Sequence, residues 1–321
     1  MKRCILFGGS GYIGTMLARR FAETGRFDEI VIADMQSPAA LPPGARHVSC
    51  DVREPIPPVV GESAEWIFHF AAVHREPGHT DEEYFATNVP GGRHVCEFAE
   101  RIGCRNITFT SSIAVYGPTT GATDESAPLH PTTAYGRSKQ EAEAIHAAWQ
   151  TTAPGRRLMI VRPGVIYGPG DPGNVLRMIR ALHRGYFVFP GSTAIRKSYG
   201  YIHGLLDAFE FAMQRSEPAL TFNYVERETV TIGEMAKIVR QFLGVSAPVL
   251  ALPAWLLMPV AWLAQRATGG RSALHPVRVR KAATPTWIVP ARLAELGFNF
   301  RYDFETSLAD WRERAPQDFE S

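Results

Sequence analysis

The sequence predicts an α/β fold, a Rossmann-type doubly wound parallel sheet with a smaller mixed α/β C-terminal lobe that takes the substrate. Three observations predict it. The segment FGGSGYIG at 7–14 joins a short apolar run to a helical pattern through closely spaced glycines. Short apolar runs then alternate with amphipathic stretches through the first half, the rhythm of a parallel sheet covered on both faces. After Pro163 that rhythm breaks in PGVIYGPGDPG, a glycine- and proline-rich crossing between lobes.

Taken in order, 3–7, 30–34, 46–50, 66–70, 106–111 and 158–162 read as strands, each short, apolar and bounded by polar or glycine-containing segments. Helical patterns occupy 12–23, 82–101 and 133–149 between them, and 174–184, 231–243 and 254–267 beyond. No clean linker separates the halves. Two lobes sharing one chain are therefore expected: 1–165 with 200–220, and 166–199 with 221–321.

The bulk properties exclude several function classes. With 321 residues, 45% apolar and 21% charged, the chain has an ordinary globular composition. A formal charge of +2 does not by itself provide a surface for nucleic acid or an anionic membrane. Cys4, Cys50, Cys96 and Cys104 form no CxxC pair and no HExxH occurs, so no metal is expected and the thiols read as reduced, in a cytoplasmic protein. The opening MKRCILFGG has an apolar run cut short by glycine, a first strand rather than a signal peptide. The run ALPAWLLMPVAWLA at 251–264 is shorter than the roughly 18 residues of a membrane span and holds Pro253 and Pro259. A buried or partner-facing helix is expected there, with a membrane-surface contact as the alternative.

The glycines follow the spacing Gly8-x-x-Gly11-x-x-Gly14 between a strand and a helix. Such a loop brings a dinucleotide's pyrophosphate to the helix N-terminus, where unpaired N–H groups of residues such as Tyr12 and Ile13 and the helix dipole favour negative charge. Asp34 ends the second strand, placed to accept hydrogen bonds from the adenosine ribose. Its carboxylate repels a 2′-phosphate, and Met35 and Gln36 follow it rather than an arginine, so NAD is expected over NADP. Asp51 and Val52, in CDVRE after the third strand, are expected at the adenine edge.

Tyr135 and Lys139 stand four apart in AYGRSKQEAE, on one face of a helix. A phenol ordinarily titrates near 10, too high for a base at neutral pH. A neighbouring ammonium and a cationic nicotinamide ring favour the phenolate and suit the pair to moving a proton at a carbinol oxygen. TFTSSIAVYG brings Ser111 and Ser112 to the lip of the sheet, where a hydroxyl addresses the same oxygen.

With these pieces in order, the chain resembles the extended short-chain dehydrogenase/reductases of the NAD-dependent epimerase/dehydratase family that act on nucleotide sugars. The matching segments are the glycine loop, HFAAV at 69–73, NVPGG at 88–92, SSIAVYG at 111–117, YGRSK at 135–139 and RPGVIYGPGD at 162–171. Looser matches follow at 201–209, 222–239 and 293–298. The resemblance implies Ser112, Tyr135 and Lys139 as the catalytic set, with Lys139 also holding the nicotinamide ribose. It implies that Phe70, Ala71 and Ala72 pass beneath NAD, that Ser111 lines it, that Asn88 is structural, and that Pro163 and Val165 flank the nicotinamide amide. Dehydratases of the family carry an Asp-Glu pair where this chain has Ile113 and Ala114, so elimination of water is not expected.

A nucleotide-sugar 4-epimerase acting on a UDP-hexose or UDP-N-acetylhexosamine is the first expectation. A 4-ketoreductase of a nucleotide 4-keto-6-deoxy sugar shares the same triad, and the apolar C-terminal run also fits a 3β-hydroxysteroid dehydrogenase-like oxidoreductase. For the sugar and its diphosphate the candidates are His74, with Arg75 and His79 in the same loop, then Asn174, Arg196, Lys197 and Arg278, beside Arg280 and Lys281. The resemblance further implies a homodimer formed through the helices at 82–101 and 133–149.

Overall fold

The structure is a computed structural model, and it describes residues 1–171, 173–268 and 275–320. Strand β1 (Arg3–Phe7) leads through the glycine turn into α1 (Tyr12–Thr24), followed by β2 (Glu29–Asp34) and β3 (Ala45–Ser49). Then come β4 (Trp66–His69), α2 (Asp81–Arg101), β5 (Asn106–Thr110), α3 (Ala134–Thr151) and β6 (Arg157–Pro163). These elements match those read from the first half of the sequence, with ends moved by at most two residues.

The second part begins with β7 (Val165–Tyr167), α4 (Asn174–His183), β8 (Phe187–Pro190), β9 (Tyr199–Tyr201) and α5 (Ile202–Met213). It continues with β10 (Ala219–Tyr224), α6 (Ile232–Leu243), β11 (Val249–Leu252) and α7 (Ala254–Thr268). Helices α8 (Pro276–Ala283), α9 (Ala291–Glu295) and α10 (Phe304–Arg314) complete it.

Seven strands form one sheet in the order β10-β6-β5-β4-β1-β2-β3, and every neighbouring pair is parallel. The order reverses between β1 and β4, so the crevice for a ligand opens at their carboxyl ends. Alternation along β1 shows why both faces are covered. Cys4 and Leu6 pack with Leu17 and Phe21 of α1 and Phe209 of α5, whereas Ile5 and Phe7 pack with Phe98 of α2 and Trp149 of α3. Strand β10 extends the sheet because Leu220 and Phe222 enter the first of these cores.

That core runs on without a break into the second part, through Tyr167, Tyr201, Phe304 and Trp311. Small two-stranded sheets, β8 with β11 and β7 with β9, lie outside the large one. The apolar run at 251–264 forms the end of β11 and most of α7, but it is not a buried helix: of α7 only Ala261 is buried among the described side chains.

Trp311 anchors the C-terminal part. It is fully buried, contacts Tyr167 and Phe319, and donates from Nε1 to Asp318 Oδ2 at 2.9 Å. Replacing it with alanine leaves a large cavity and an unpaired buried carboxylate oxygen. Trp311→Ala is expected to cost about 3–5 kcal/mol, seen as a lowered midpoint in urea unfolding; an unchanged midpoint would show that this corner contributes little to the fold.

Candidate active site at the carboxyl edge of the sheet

Gly8 turns the chain out of β1 with φ of 74°, and its N–H donates to Ala33 O at 2.9 Å. A Cβ there would lie 2.4 Å from the amide nitrogen of Ala71, at the exit of β4. A Cβ on Gly14 would lie 2.6 Å from the Cα of Gly9. Only glycine fits at either place. Helix α1 starts at Gly11, which has no side chain to cap it, and its first turn holds no acidic residue. Its leading N–H groups, those of Tyr12 and Ile13 among them, are thus suited to an anion.

Beside this cradle Asp34 is held by two backbone donors, Ser10 N–H at 3.0 Å and Gln36 N–H at 2.9 Å. Its carboxylate keeps further lone pairs for hydroxyl donors. Asp51 pairs with Arg53 through contacts of 2.6 to 3.0 Å, and hydrogen bonds from Arg53 hold its carboxyl below the usual range. Val52 is buried against α2, where a Cβ on Gly91 would lie 3.0 Å from it. The Tyr12 hydroxyl and Ser111 Oγ are buried with no hydrogen-bond partner among the described residues. A glycine cradle, a poised strand-end acid and orphaned hydroxyls along one crevice fit a dinucleotide.

The three residues expected to handle the proton lie near the carboxyl end of β5. Ser112 caps a short 3₁₀ turn (Ile113–Tyr116), accepting from Ala114 N–H at 3.2 Å, and its hydroxyl lies against the Tyr135 phenol. Lys139 is buried; its Nζ donates to Thr110 O at 2.7 Å and sits 4.7 Å from the centre of the Phe109 ring. Burial depresses the ammonium from its ordinary 10.5 to about 7, opposed by the negative charge of Glu143. Burial also pushes the Tyr135 phenol up to about 12, opposed by the Ser112 hydroxyl. The sequence reading expects the ammonium to lower the phenol. In the protein chain alone desolvation and the charge of Glu76 raise the phenol and the Ser112 hydroxyl is what opposes them.

Two buried networks that sequence reasoning misses hold this helix in place. Asn88 accepts from Val73 N–H at 2.9 Å and donates to Ser138 Oγ at 2.9 Å, and Ser138 donates in turn to Tyr135 O at 2.9 Å. One turn beyond Lys139, Glu143 accepts a bidentate pair from Arg162 of β6 at 2.9 and 2.7 Å. Arg162 also donates to the Tyr116 hydroxyl, which donates to Asn223 of β10, which donates to Val289 O. The signal is the charged Arg162 at the end of the apolar run of β6, but its pairing with Glu143 needs the fold.

The predicted substrate residues are spread around the mouth. His74 lies near Lys139, and partial desolvation of its ring, with the positive charge of Lys139, lowers its pKa. His79, two residues before α2, meets Glu83 of its first turn at 3.4 Å. Arg75 offers its carbonyl to the Tyr84 hydroxyl at 2.6 Å, and the Tyr84 ring lies 6.0 Å from that of Tyr135. Asn174 opens α4 and accepts from Arg177 at 2.6 Å. Arg196 stacks over Trp287 at 5.0 Å and donates to Thr229 O, and Lys197 donates to Lys281 O at 2.7 Å and to Thr284 O. These two cations thus also tie their segment to the C-terminal part. Arg278 and Arg280 are exposed on α8, and Lys281 pairs with Glu76 at 2.7 Å. Gly164 sits between Pro163 and Val165 where a Cβ would meet Ser198 O at 2.4 Å, which keeps this wall close to β9.

A crevice of this construction defines a dinucleotide-dependent enzyme that moves hydride and a proton at a carbinol carbon. The model of the NAD dependent epimerase/dehydratase family matches residues 4–224, and the chain belongs to that family. An N-acetyl-alpha-D-glucosaminyl-diphospho-ditrans,octacis-undecaprenol 4-epimerase of Escherichia coli O157:H7 is 29% identical over 310 residues, 95% of this chain and 92% of its own. A UDP-glucose 4-epimerase of Streptomyces lividans is 33% identical over 145 residues, 42% of this chain and 44% of its own. Among solved structures, the UDP-glucuronic acid 4-epimerase from Bacillus cereus in complex with NAD superimposes with a TM-score of 0.78 at 16% identity, covering 99% of this chain and 100% of its own.

Two experiments test the site itself. Gly8→Ala forces a Cβ into the backbone of Ala71 at a left-handed φ, so NAD affinity is expected to fall at least about tenfold, measured by calorimetric titration; retained affinity would remove the cradle from the argument. Lys139→Met addresses the buried ammonium. The unfolded chain holds a proton on Lys139 that the folded chain loses between about pH 7 and 10.5, so wild-type stability from this group rises with pH across that window. The variant should therefore exceed wild type in urea unfolding at neutral pH, by a margin that shrinks toward the alkaline end. A margin independent of pH would place the lysine's titration at its ordinary value.

Proposed function

We propose that the protein is an NAD-dependent nucleotide-sugar 4-epimerase acting on a UDP-hexose or UDP-N-acetylhexosamine through a 4-keto sugar. The observation that carries this reading is the convergence of Ser112, Tyr135 and Lys139 beside the glycine cradle, with Ile113 and Ala114 where an elimination would need an acid and a base. The division of labour follows the chain: 1–165 and 200–220 hold NAD, with β10 completing that sheet, and 166–199 and 221–321 hold the sugar nucleotide. A homodimer through α2 and α3 belongs to the same proposal.

NAD supplies the acceptor and then the donor of hydride at C4. Tyr135 takes the proton of the C4 hydroxyl as the carbonyl forms and returns it when the opposite epimer is made. Ser112 Oγ holds the same oxygen. Lys139, with one donor spent on Thr110 O, keeps two for the ribose and places positive charge near the phenolate. His74, Asn174, Arg196, Lys197 and Arg278 are the proposed contacts to the sugar and its diphosphate; the Arg196 fork has donors beyond the one given to Thr229 O. The cycle returns its hydride, so no coenzyme is consumed.

A second reading has a specific observation in its favour. The Escherichia coli relative, matched over nearly both full lengths, is named for a sugar diphosphate attached to undecaprenol. The sugar–diphosphate head is common to both kinds of substrate, and the same triad serves either.

The test incubates the protein with UDP-glucose and UDP-N-acetylglucosamine without added coenzyme and separates the C4 epimers. Interconversion is expected, and Tyr135→Phe should slow it by about 10²–10⁴-fold while NAD affinity holds. Turnover only of a 4-keto sugar with stoichiometric loss of NADH or NADPH absorbance would establish a reductase instead, and oxidation only of a 3β-hydroxysterol would establish the sterol chemistry.

A further inference from the structure

Helix α7 is built the wrong way round for a protein in water. At 3.6 residues per turn, Trp255, Leu256, Pro259, Val260, Trp262 and Leu263 fall within one arc of about 160°. That arc faces outward: Trp255 is 72% exposed, Leu263 69% and Trp262 56%. The inward arc carries the smaller or more flexible Leu257, Met258, Ala261, Ala264 and Gln265. A surface helix ordinarily turns its bulky apolar stripe to the core. The charge around it is equally one-sided. Between Glu234 and Glu295 the sequence has no Asp or Glu, while Arg266 closes the outward arc and Arg278, Arg280 and Lys281 follow on α8.

We infer that α7 and α8 form a docking surface for an anionic lipid bilayer, with the tryptophans and leucines of α7 in the headgroup boundary and Arg266 and Arg280 against anionic headgroups. Charge complementarity selects this occupant, because α7 and α8 carry basic residues and no acid of their own, which matches a negatively charged leaflet. The two tryptophans, one above the other on the helix, suit the polar–apolar boundary. With 15 residues α7 is too short to cross a bilayer, and no described helix is long and apolar enough to do so, so the helix lies on the surface. The surface also adjoins the catalytic crevice. Lys281 at the end of α8 pairs with Glu76, whose charge acts on Tyr135 and Tyr84. Docking by this face therefore brings the mouth of the site toward the membrane.

The test is flotation of the full chain with phosphatidylglycerol-containing vesicles and with pure phosphatidylcholine vesicles, at low and high salt. The expected result is co-flotation with the anionic vesicles, weakened by salt, and at least about tenfold lower for the double variant Trp255→Gln, Trp262→Gln. Both side chains are exposed, so the variant should melt like wild type and turn over any soluble sugar nucleotide at the wild-type rate. Absence of flotation overturns the inference, as does flotation unaffected by the double variant. A concentration-dependent dimer in sedimentation that the variant abolishes, without flotation, assigns the face to a second copy and also overturns it. Vesicle binding is read without turnover, so its outcome is separate from that of the epimerase reading.

Discussion

The contact between the backbone of Gly8 and that of Ala71 is the constraint on which the remainder of the molecule is arranged. Strands β1 and β4 are neighbours where the strand order reverses, so the turn leaving one must pass against the exit of the other. With no side chain at residue 8 the two turns close up, and α1 begins at the sheet edge with its leading amides turned to the crevice. The next strand on the same side, β5, then delivers Ser112 to that crevice, and α3 supplies Tyr135 and Lys139 against it. The position of these three side chains is thus a consequence of sheet topology.

The site sets burial against charge. Lys139 is buried and donates to the backbone carbonyl of Thr110, and Tyr135 is pushed toward its neutral form by desolvation as well. The groups that lean the other way are Ser112 for the phenol and Glu143 for the ammonium. At that depth Arg162 meets both oxygens of Glu143. The polarity of the crevice is therefore set partly from the layer behind it.

What the sequence made legible is what depends on local spacing. The glycine turn, the acid at the end of β2 and the four-residue step from Tyr135 to Lys139 are short-range patterns, and so is the alternation that gave the parallel sheet. Pairings across the fold were not legible. Asn88 with Ser138, Arg162 with Glu143, and Lys281 with Glu76 join residues 50, 19 and 205 positions apart, and nothing in either partner's neighbourhood specifies the other. The run at 251–264 shows the converse limit. Its apolar character was plain, but which side of the helix faces inward is set by what it packs on, and α7 puts its largest side chains outside. The depth at which Tyr135 is buried was not legible for a related reason, since it is a property of the assembled crevice.

The chain of hydrogen bonds from Glu143 through Arg162, Tyr116 and Asn223 to Val289 spans α3, two strands of the sheet and the C-terminal segment. Glu125 reinforces its far end by accepting from the amides of both Asn223 and Arg292. Breaking a buried ionic link of this kind by removing one partner costs several kcal/mol. The seam therefore ties the helix that carries Tyr135 and Lys139 to the far edge of the sheet and to the C-terminal segment, so a change at Val289 or Arg292 is felt at α3.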